Sequence, residues 1–248
     1  MLFRSLSCAS AITWHTQATA GYPKETAEAH DNAIAIASLL ESLGWSLPSA
    51  CALIGNAQGE SGLNPWRWES DYVPTVAEAY AWTPAQLSVH GYGLFSFTYF
   101  TKYVDYAMGY PGYGPNFADR TGSNLDGQAQ VLFMNDEIPN DWTHNLYGYY
   151  ADDFSAIGVD ISTFYYMTPQ QFMAGTGYTL EQLVGAFELC YERPADWAAA
   201  NSYPFRVQTA QYWYDELSQI VIPPYPSLVK TFNIMFYLKP KWKRWLGL

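Results

Sequence analysis

The sequence of 248 residues predicts a mainly α-helical fold. Apolar residues recur at three- and four-residue spacing in several segments, which is the period of a helix. Most of these segments begin at Ser or Thr, in three cases with Pro close behind, and end at Gly or Pro, as helices do. Hydrophobic residues at 49% and charged residues at 14% indicate a packed core and exclude a disordered chain.

Two helices are predicted near the N-terminus, and shorter ones follow. The first starts at Thr26 and stops at Gly44; the second has Ser46 as its N-cap and ends near Gly59, before a run of turn residues. Residues 65–97 are predicted to be loop with at most a small hairpin and one short helix. Further helices are predicted after Thr83-Pro84 and after Thr168-Pro169. Others are predicted over Thr98–Met108, from Ser123 to a stop at Pro139, from Thr179 to a stop at Pro194, and over roughly Phe205 to Ser218.

Composition divides the chain into an irregular N-terminal arm (residues 1–25), a folded domain (26–218) and a tail (219–248). The tail is rich in Pro and bulky apolar residues and has five Lys and Arg without an acidic residue. The rest of the chain therefore carries a net charge of −16, against −11 for the whole. Such an acidic domain repels phosphate backbones, so we expect no nucleic-acid partner.

The cysteines and histidines do not predict a metal or cofactor site. Cys8, Cys51 and Cys190 match no metal-binding spacing, so we expect buried thiols, with a Cys51–Cys190 disulfide left open. The four histidines also lack the spacing of metal ligands, and neither metal nor cofactor is predicted. No apolar run reaches the ~20 residues that a membrane helix needs.

The segment that carries chemistry surrounds Glu60. This residue is predicted at the end of an apolar helix, where the helix dipole and the unpaired carbonyl groups disfavour a negative charge. A carboxyl group that keeps its proton is what a general acid needs, and glycoside hydrolysis is a common reaction that uses one. The alternative is that Glu60 lies in water at a helix end and has no catalytic role.

Four motifs, in this order along the chain, resemble the phage tail lysozyme family, which comprises lysozyme-like peptidoglycan hydrolases of tailed-phage particles. The resemblance spans about Asn32 to Leu217. The motifs are Gly55-Asn56-Ala57-Gln58-Gly59-Glu60-Ser61-Gly62-Leu63-Asn64-Pro65; Arg67-Trp68 with Gly91-Tyr92-Gly93-Leu94-Phe95-Ser96-Phe97-Thr98; Phe187 with Tyr191-Glu192-Arg193-Pro194; and Arg206, Ala210 and Trp213-Tyr214.

The resemblance implies a mainly α, lysozyme-like domain in which a loop or small hairpin lines the cleft. It implies that Glu60 is the catalytic acid and that Gly91–Thr98 forms the rim beside it, offering backbone groups to the sugar. Ser96 departs from the family pattern, which has Gln at this position. The implied substrate-binding residues are Asn56, Trp68, Asp71, Tyr92, Gly93, Leu94, Ser96 and Tyr191.

The function that the resemblance implies is hydrolysis of the β-1,4 bond between N-acetylmuramic acid and N-acetylglucosamine, which opens the bacterial cell wall locally during phage entry. The implied partners are peptidoglycan and other phage tail proteins, and the implied location is the virion tail tip. Two alternatives stay open. One is a lytic transglycosylase that acts on the same bond, and the other is a tail-tip structural or wall-binding protein whose active site has drifted, as Ser96 hints.

Three further features allow more than one interpretation. Asp71 and Glu69 are the nearest candidates for a second carboxylate, but each can be a solvated loop charge. Glu192 and Arg193 can belong to the site, or form an ion pair that holds the last two helices together. The tail can contact a membrane or anionic wall polymers, dock on a neighbouring virion protein, or pack on its own acidic domain.

Aromatic residues crowd the predicted cleft loop, where rings could stack on sugars. They are Trp66, Trp68, Tyr72, Trp82, Tyr92, Phe97 and Tyr99.

Overall fold

A computed structural model describes residues 14–15, 26–68, 77–78, 81–87, 90–98, 102–103, 106, 126–220 and 222. Within these ranges the fold is mainly helical and has no β-strand, which confirms the predicted class. The helices are α1 (Ala27–Ser42), α2 (Leu47–Ser61), α3 (Pro84–Leu87), α4 (Asp126–Asp141), α5 (Tyr147–Ala156), a 3-10 turn (Ile161–Thr163), α6 (Pro169–Ala174), α7 (Leu180–Phe187), a π-turn (Glu188–Glu192) and α8 (Asp196–Leu217).

The first two helices form where the sequence predicts them. Thr26 caps α1 and Ser46 caps α2, each through a side-chain oxygen that accepts a backbone N–H of the first turn. α2 runs two residues past its predicted end near Gly59. It stops only where Gly62 adopts a left-handed conformation with φ of 65°.

α2 is the central helix of the domain. Every residue from position 49 to position 58 is buried, because α8 packs along α2 and α1 and α7 flank it. Gly55 permits the close approach of α8: a Cβ there would lie 2.7 Å from Ala210 Cβ and 2.8 Å from the Arg206 carbonyl oxygen. A helix enclosed in this way holds the residues at its C-terminal end in a fixed place.

Pro139, which was predicted to end a helix, lies inside one, and the last helix starts earlier than predicted. α4 continues past Pro139, and α8 starts nine residues before Phe205 and runs through Pro204. Both prolines are exposed, and each removes a single hydrogen bond from its helix. In α8 this cost is offset by packing, because Ala199, Ala200 and Tyr203 are buried before the proline.

The middle of the chain contains one helix that was not predicted. α5 buries only Tyr150 and Phe154, which are one turn apart. Two buried residues in a Tyr-rich segment form too short an apolar pattern to predict a helix. α6 and α7 follow as predicted, each with a complete capping box at Thr168 and Thr179. The π-turn that continues α7 was also not predicted.

The predicted cleft loop is partly described. The short helix after Thr83 is present as α3, and the predicted hairpin is reduced to two isolated bridges, Trp68 with Tyr92 and Tyr92 with Phe97. Of the helix predicted over Thr98–Met108, positions 102, 103 and 106 are helical. Glu69, Asp71, Tyr72, Tyr99, Ser123 and nearly all of the tail lie outside the described residues.

Part of the N-terminal arm belongs to the core. The Trp14 side chain is only 1% exposed and lies against Gly127, where a Cβ would approach the indole to 2.4 Å. The His15 backbone N–H donates to Asn32 Oδ1 at 2.8 Å, and Asn32 Nδ2 donates back to the His15 carbonyl at 2.7 Å. These contacts fasten this part of the arm to α1 and α4.

Cys51 and Cys190 are buried free thiols, as expected, and the alternative disulfide between them is not formed. Among the helices that the structure describes, none combines the length and the apolar character needed to cross a membrane.

Candidate active site

Glu60 lines a cleft of about 760 Å³ between the end of α2, the loop at residues 95–98, α4 and the π-turn. A groove of about 870 Å³ beside α7 and α8 contains none of the four motifs, so its size does not make it the better candidate. The residues that line the cleft are Glu60, Phe95, Ser96, Phe97, Thr98, Lys102, Phe133, Glu137, Asp141, Tyr191, Glu192, Arg193, Pro194 and Ala195.

The position of Glu60 is fixed from two sides. Its side chain is 24% exposed and lies in the last turn of α2. The next residue, Ser61, donates its hydroxyl to the Leu94 carbonyl oxygen at 2.9 Å and so ties the end of α2 to the loop. On the other side Gly59 lies against Arg206. A Cβ added at Gly59 would be 3.4 Å from Arg206 Cγ.

Arg206 of α8 holds Glu60 together with two other carboxyl groups. Its Nη2 donates to Glu60 Oε1, and its Nη1 donates to Glu192 Oε2 at 2.5 Å. Its Nε lies 3.1 Å from Oε1 of Glu188, which also accepts the Ser202 hydroxyl at 2.6 Å. One buried guanidinium therefore serves three carboxyl groups, from α2 and from both ends of the π-turn.

Two of the three carboxyl groups around Arg206, those of Glu188 and Glu192, have a raised pKa. Burial raises the pKa of Glu188 to about 7, although Arg206 and Ser202 act in the opposite direction. Burial, together with the charges of Glu60 and Glu188, raises the pKa of Glu192 well above its ordinary value, against the influence of Arg206. Glu188 is therefore partly protonated near neutral pH, and it contacts the same guanidinium as Glu60.

Asn56 does not reach the cleft. Its side chain is fully buried, donates to the Ala52 carbonyl at 2.9 Å, and accepts from Arg206 Nη1 at 3.0 Å. Asn56 lies one helical turn before Glu60, where α2 is enclosed by α7 and α8. Its prediction as a substrate contact is corrected, because it orients the arginine that holds Glu60.

The loop residues Trp68, Tyr92 and Leu94, which are also predicted substrate contacts, have buried side chains. Tyr92 donates its hydroxyl to Asp126 Oδ2 at 2.5 Å. The Leu94 N–H donates to Gln130 Oε1 at 2.7 Å. These two bonds attach the loop to α4, and Trp68 lies against Tyr92 with ring centroids 4.6 Å apart.

The rim itself is strained and partly closed by its own hydrogen bonds. The predicted substrate contacts Gly93 and Ser96 both have positive φ, 84° and 49°. The Gly93 N–H donates to the Arg67 carbonyl at 2.8 Å, and the Ser96 N–H donates to the Gly93 carbonyl at 3.2 Å. These two backbone donors are therefore engaged within the loop, whereas Ser96 lines the cleft as the sequence predicts.

The wall of the cleft that α4 forms was not foreseen. Tyr191, the remaining predicted substrate contact, lines the cleft and donates its hydroxyl to Glu137 Oε2. Lys102 Nζ lies 3.6 Å from Glu137 Oε1. Burial and the neighbouring Glu137 raise the pKa of Tyr191 well above its ordinary value, so its hydroxyl stays a donor. Glu137 lies in no motif, which is why it could not be predicted from the sequence.

The π-turn brings both features of the site together. Of two consecutive residues, Tyr191 contacts Glu137 on α4, and Glu192 contacts Arg206 on α8. Arg193 follows with φ of 55° and donates to Asp141 Oδ2 at 3.0 Å. Glu192 and Arg193 therefore bind different helices. Because the π-turn continues α7, the hydrogen bond that Glu192 accepts from Arg206 joins the end of α7 to α8.

Among the residues that the structure describes, there is no group of three or more His, Cys, Asp or Glu side chains that could hold a metal ion. Asp71, which was predicted as a substrate contact, lies outside those residues, as does Glu69.

A mainly helical domain with an acidic residue at the cleft end of its central helix defines a lysozyme-like protein. The sequence model of the phage tail lysozyme family matches residues 31–217. The chain belongs to this family, which confirms the resemblance found in the sequence.

The chain is also similar to "Morphogenesis protein 1" of Bacillus phage B103, with 27% identity over 191 residues. The match covers 75% of this chain and 39% of the length of that relative.

Proposed function

We propose that the protein is a muramidase that hydrolyses the β-1,4 bond between N-acetylmuramic acid and N-acetylglucosamine in peptidoglycan. The observation that carries this proposal is the place of Glu60 at the mouth of a cleft of about 760 Å³, at the end of an enclosed helix. Membership of the phage tail lysozyme family supports a peptidoglycan-lytic role.

In the proposed reaction Glu60 donates its proton to the glycosidic oxygen while the bond to the anomeric carbon breaks. Arg206 orients the Glu60 carboxyl, and burial raises the pKa of Glu188 and Glu192 in the same cluster. The rim at residues 95–98 and Tyr191 form the surface that the glycan would contact.

The proposed setting is the virion, from which the enzyme acts on the host cell wall. Other phage tail proteins are the proposed partners, in line with the phage relative and the family. A contact of residues 219–248 with a membrane or with anionic wall polymers is part of this proposal.

The experiment is digestion of purified peptidoglycan by the wild type and by Glu60→Gln, followed by mass spectrometry of the fragment ends. We expect reducing ends from the wild type and a loss of about 100-fold or more in Glu60→Gln, since general acid catalysis contributes at least this much. Glu28→Gln, an exposed position in the first turn of α1, is the matched control and should keep full activity.

Each other outcome excludes part of the proposal. Anhydro ends would identify a lytic transglycosylase. If Glu60→Gln releases peptidoglycan fragments as fast as the wild type, Glu60 is not the general acid. No release by the folded wild-type protein would support a structural or wall-binding protein instead.

A further inference from the structure

A second carboxylate lines the same cleft as Glu60. Glu137 lies on α4 and is 16% exposed at its side chain, so it is open to the cleft while held by its neighbours. Both of its oxygens are engaged: Oε2 accepts the Tyr191 hydroxyl, and Oε1 lies 3.6 Å from the Lys102 ammonium group.

The environments of the two carboxyl groups differ in a way that suits two roles. Glu60 belongs to a cluster in which three carboxyl groups share one guanidinium, and burial raises the pKa of its neighbours Glu188 and Glu192. Glu137 stands apart from that cluster and is contacted by a hydroxyl donor and a cation. These two contacts hold the carboxyl group of Glu137 in place.

Its neighbours hold Glu137 in place. Tyr191 holds the carboxylate from one side, through a hydrogen bond to the π-turn. A carboxylate that is fixed in this way and lines the cleft can accept a proton from a water molecule there.

Resting on the muramidase function proposed above, we infer that Glu137 is the second carboxylate of the reaction and acts as the general base. Glu137 takes one proton from a water molecule as the water oxygen forms a bond to the anomeric carbon. Glu60 gives its proton to the departing oxygen as the glycosidic bond breaks. Solvent then returns the proton to Glu60 and removes the one on Glu137, so that atoms and charges balance.

In this inference Tyr191 and Lys102 are positioning residues. Tyr191 orients Glu137 through its hydroxyl, and Lys102 stabilises its charge. A general base that activates water on the face opposite the leaving group inverts the configuration at the anomeric carbon.

The test compares Glu137→Gln with the wild type and Glu60→Gln on purified peptidoglycan. We expect kcat to fall by about 100-fold in Glu137→Gln, the size of a lost general base, with KM nearly unchanged. Asp136→Asn is the matched control: it lies next to Glu137 on α4 but outside the cleft lining, and should keep its rate. Thermal unfolding of each variant checks that it is folded.

Two further measurements distinguish a base from a structural carboxylate. In Glu137→Ala, added formate should raise the rate about tenfold above that of the variant alone, because a small carboxylate can occupy the vacated space. NMR of the first product formed by the wild type should show the inverted anomer.

Glu137→Gln with a rate close to that of the wild type, or a retained anomer, would overturn the inference while the muramidase proposal stands. Loss of activity without formate rescue would also overturn it. A wild-type protein that releases no fragments would overturn both.

Discussion

At the scale of single residues, the unexpected centre of the site is Arg206. In the sequence it is only one residue of the last motif, whereas Asn56 and Glu60 belong to the first motif and Glu192 to the third. The structure shows why these residue types occur together: Asn56 and three carboxyl groups surround one buried guanidinium. Spacing along a chain cannot reveal such a contact, because Glu60 and Arg206 are 146 positions apart.

Arg206→Met should destabilise the protein more at pH 7 than at pH 5. Removing one partner of a buried ion pair costs about 3–5 kcal/mol, because it leaves uncompensated charge. At pH 5 the penalty shrinks, since Glu188, whose pKa burial raises to about 7, is then neutral. Urea unfolding at the two pH values measures the difference.

The control for this variant is Arg206→Met in a Glu188→Gln background, where part of the pH 7 penalty should disappear. An equal loss of unfolding free energy at both pH values would contradict the shared-charge description.

At the scale of elements, the capping signals were the most informative part of the sequence. Thr26, Ser46, Thr168 and Thr179 all start helices as predicted, because a cap is a local interaction between neighbouring residues. The stop assigned at Pro139 in α4 was wrong, and α8 starts before its predicted bound at Phe205. Tertiary packing decides there whether one lost hydrogen bond ends a helix.

The close contact of α2 with α8 makes Gly55 a position where a better helix former should destabilise the fold. Ala is favoured over Gly by about 1 kcal/mol inside a helix. At Gly55, however, the added Cβ would overlap the backbone of α8, 2.9 Å from the Ala210 nitrogen. We expect Gly55→Ala to lower the unfolding free energy by about 2 kcal/mol, as overpacking does.

Gly148→Ala in α5 is the matched control, since no atom lies within 4 Å of its Cβ position. It should stabilise the protein by roughly 0.5–1 kcal/mol. Denaturant unfolding of both variants gives the sign of each change in unfolding free energy. A stabilised Gly55→Ala would show that α8 does not pack this closely.

At the scale of the whole molecule, the arm and the loop both depend on α4. Trp14 packs on Gly127, and Tyr92 donates to Asp126, one residue earlier on the same helix. The sequence placed the arm outside the domain, because two packed residues in an irregular segment leave no periodic pattern. It identified the loop from its motif but could not tell which of its aromatic side chains face inward.

The stability of the whole protein should depend on pH through Asp126. Burial raises its pKa to about 7, although hydrogen bonds from Tyr92 and Gln130 act to lower it. A carboxyl group whose pKa is raised on folding stabilises the fold fully below its unfolded value of about 4. This stabilisation is lost as the pH rises to about 7.

We therefore expect the unfolding free energy of the wild type to fall between pH 5 and pH 8, and to fall less in Asp126→Asn. Thermal unfolding across this range measures both slopes. Asp152→Asn, an exposed acid on α5, should leave the slope of the wild type unchanged, and an equal slope in Asp126→Asn would exclude Asp126 as the source.

The π-turn has a consequence for how the sequences of relatives can vary. Its backbone holds one residue more per turn than an α-helix, and this extra residue lets Tyr191 and Glu192 contact opposite helices. A chain shorter by one residue here would form a regular helix and turn the following side chains by about 100°. The length of segment 188–192 should therefore be under as strong a selection as the identity of Glu60.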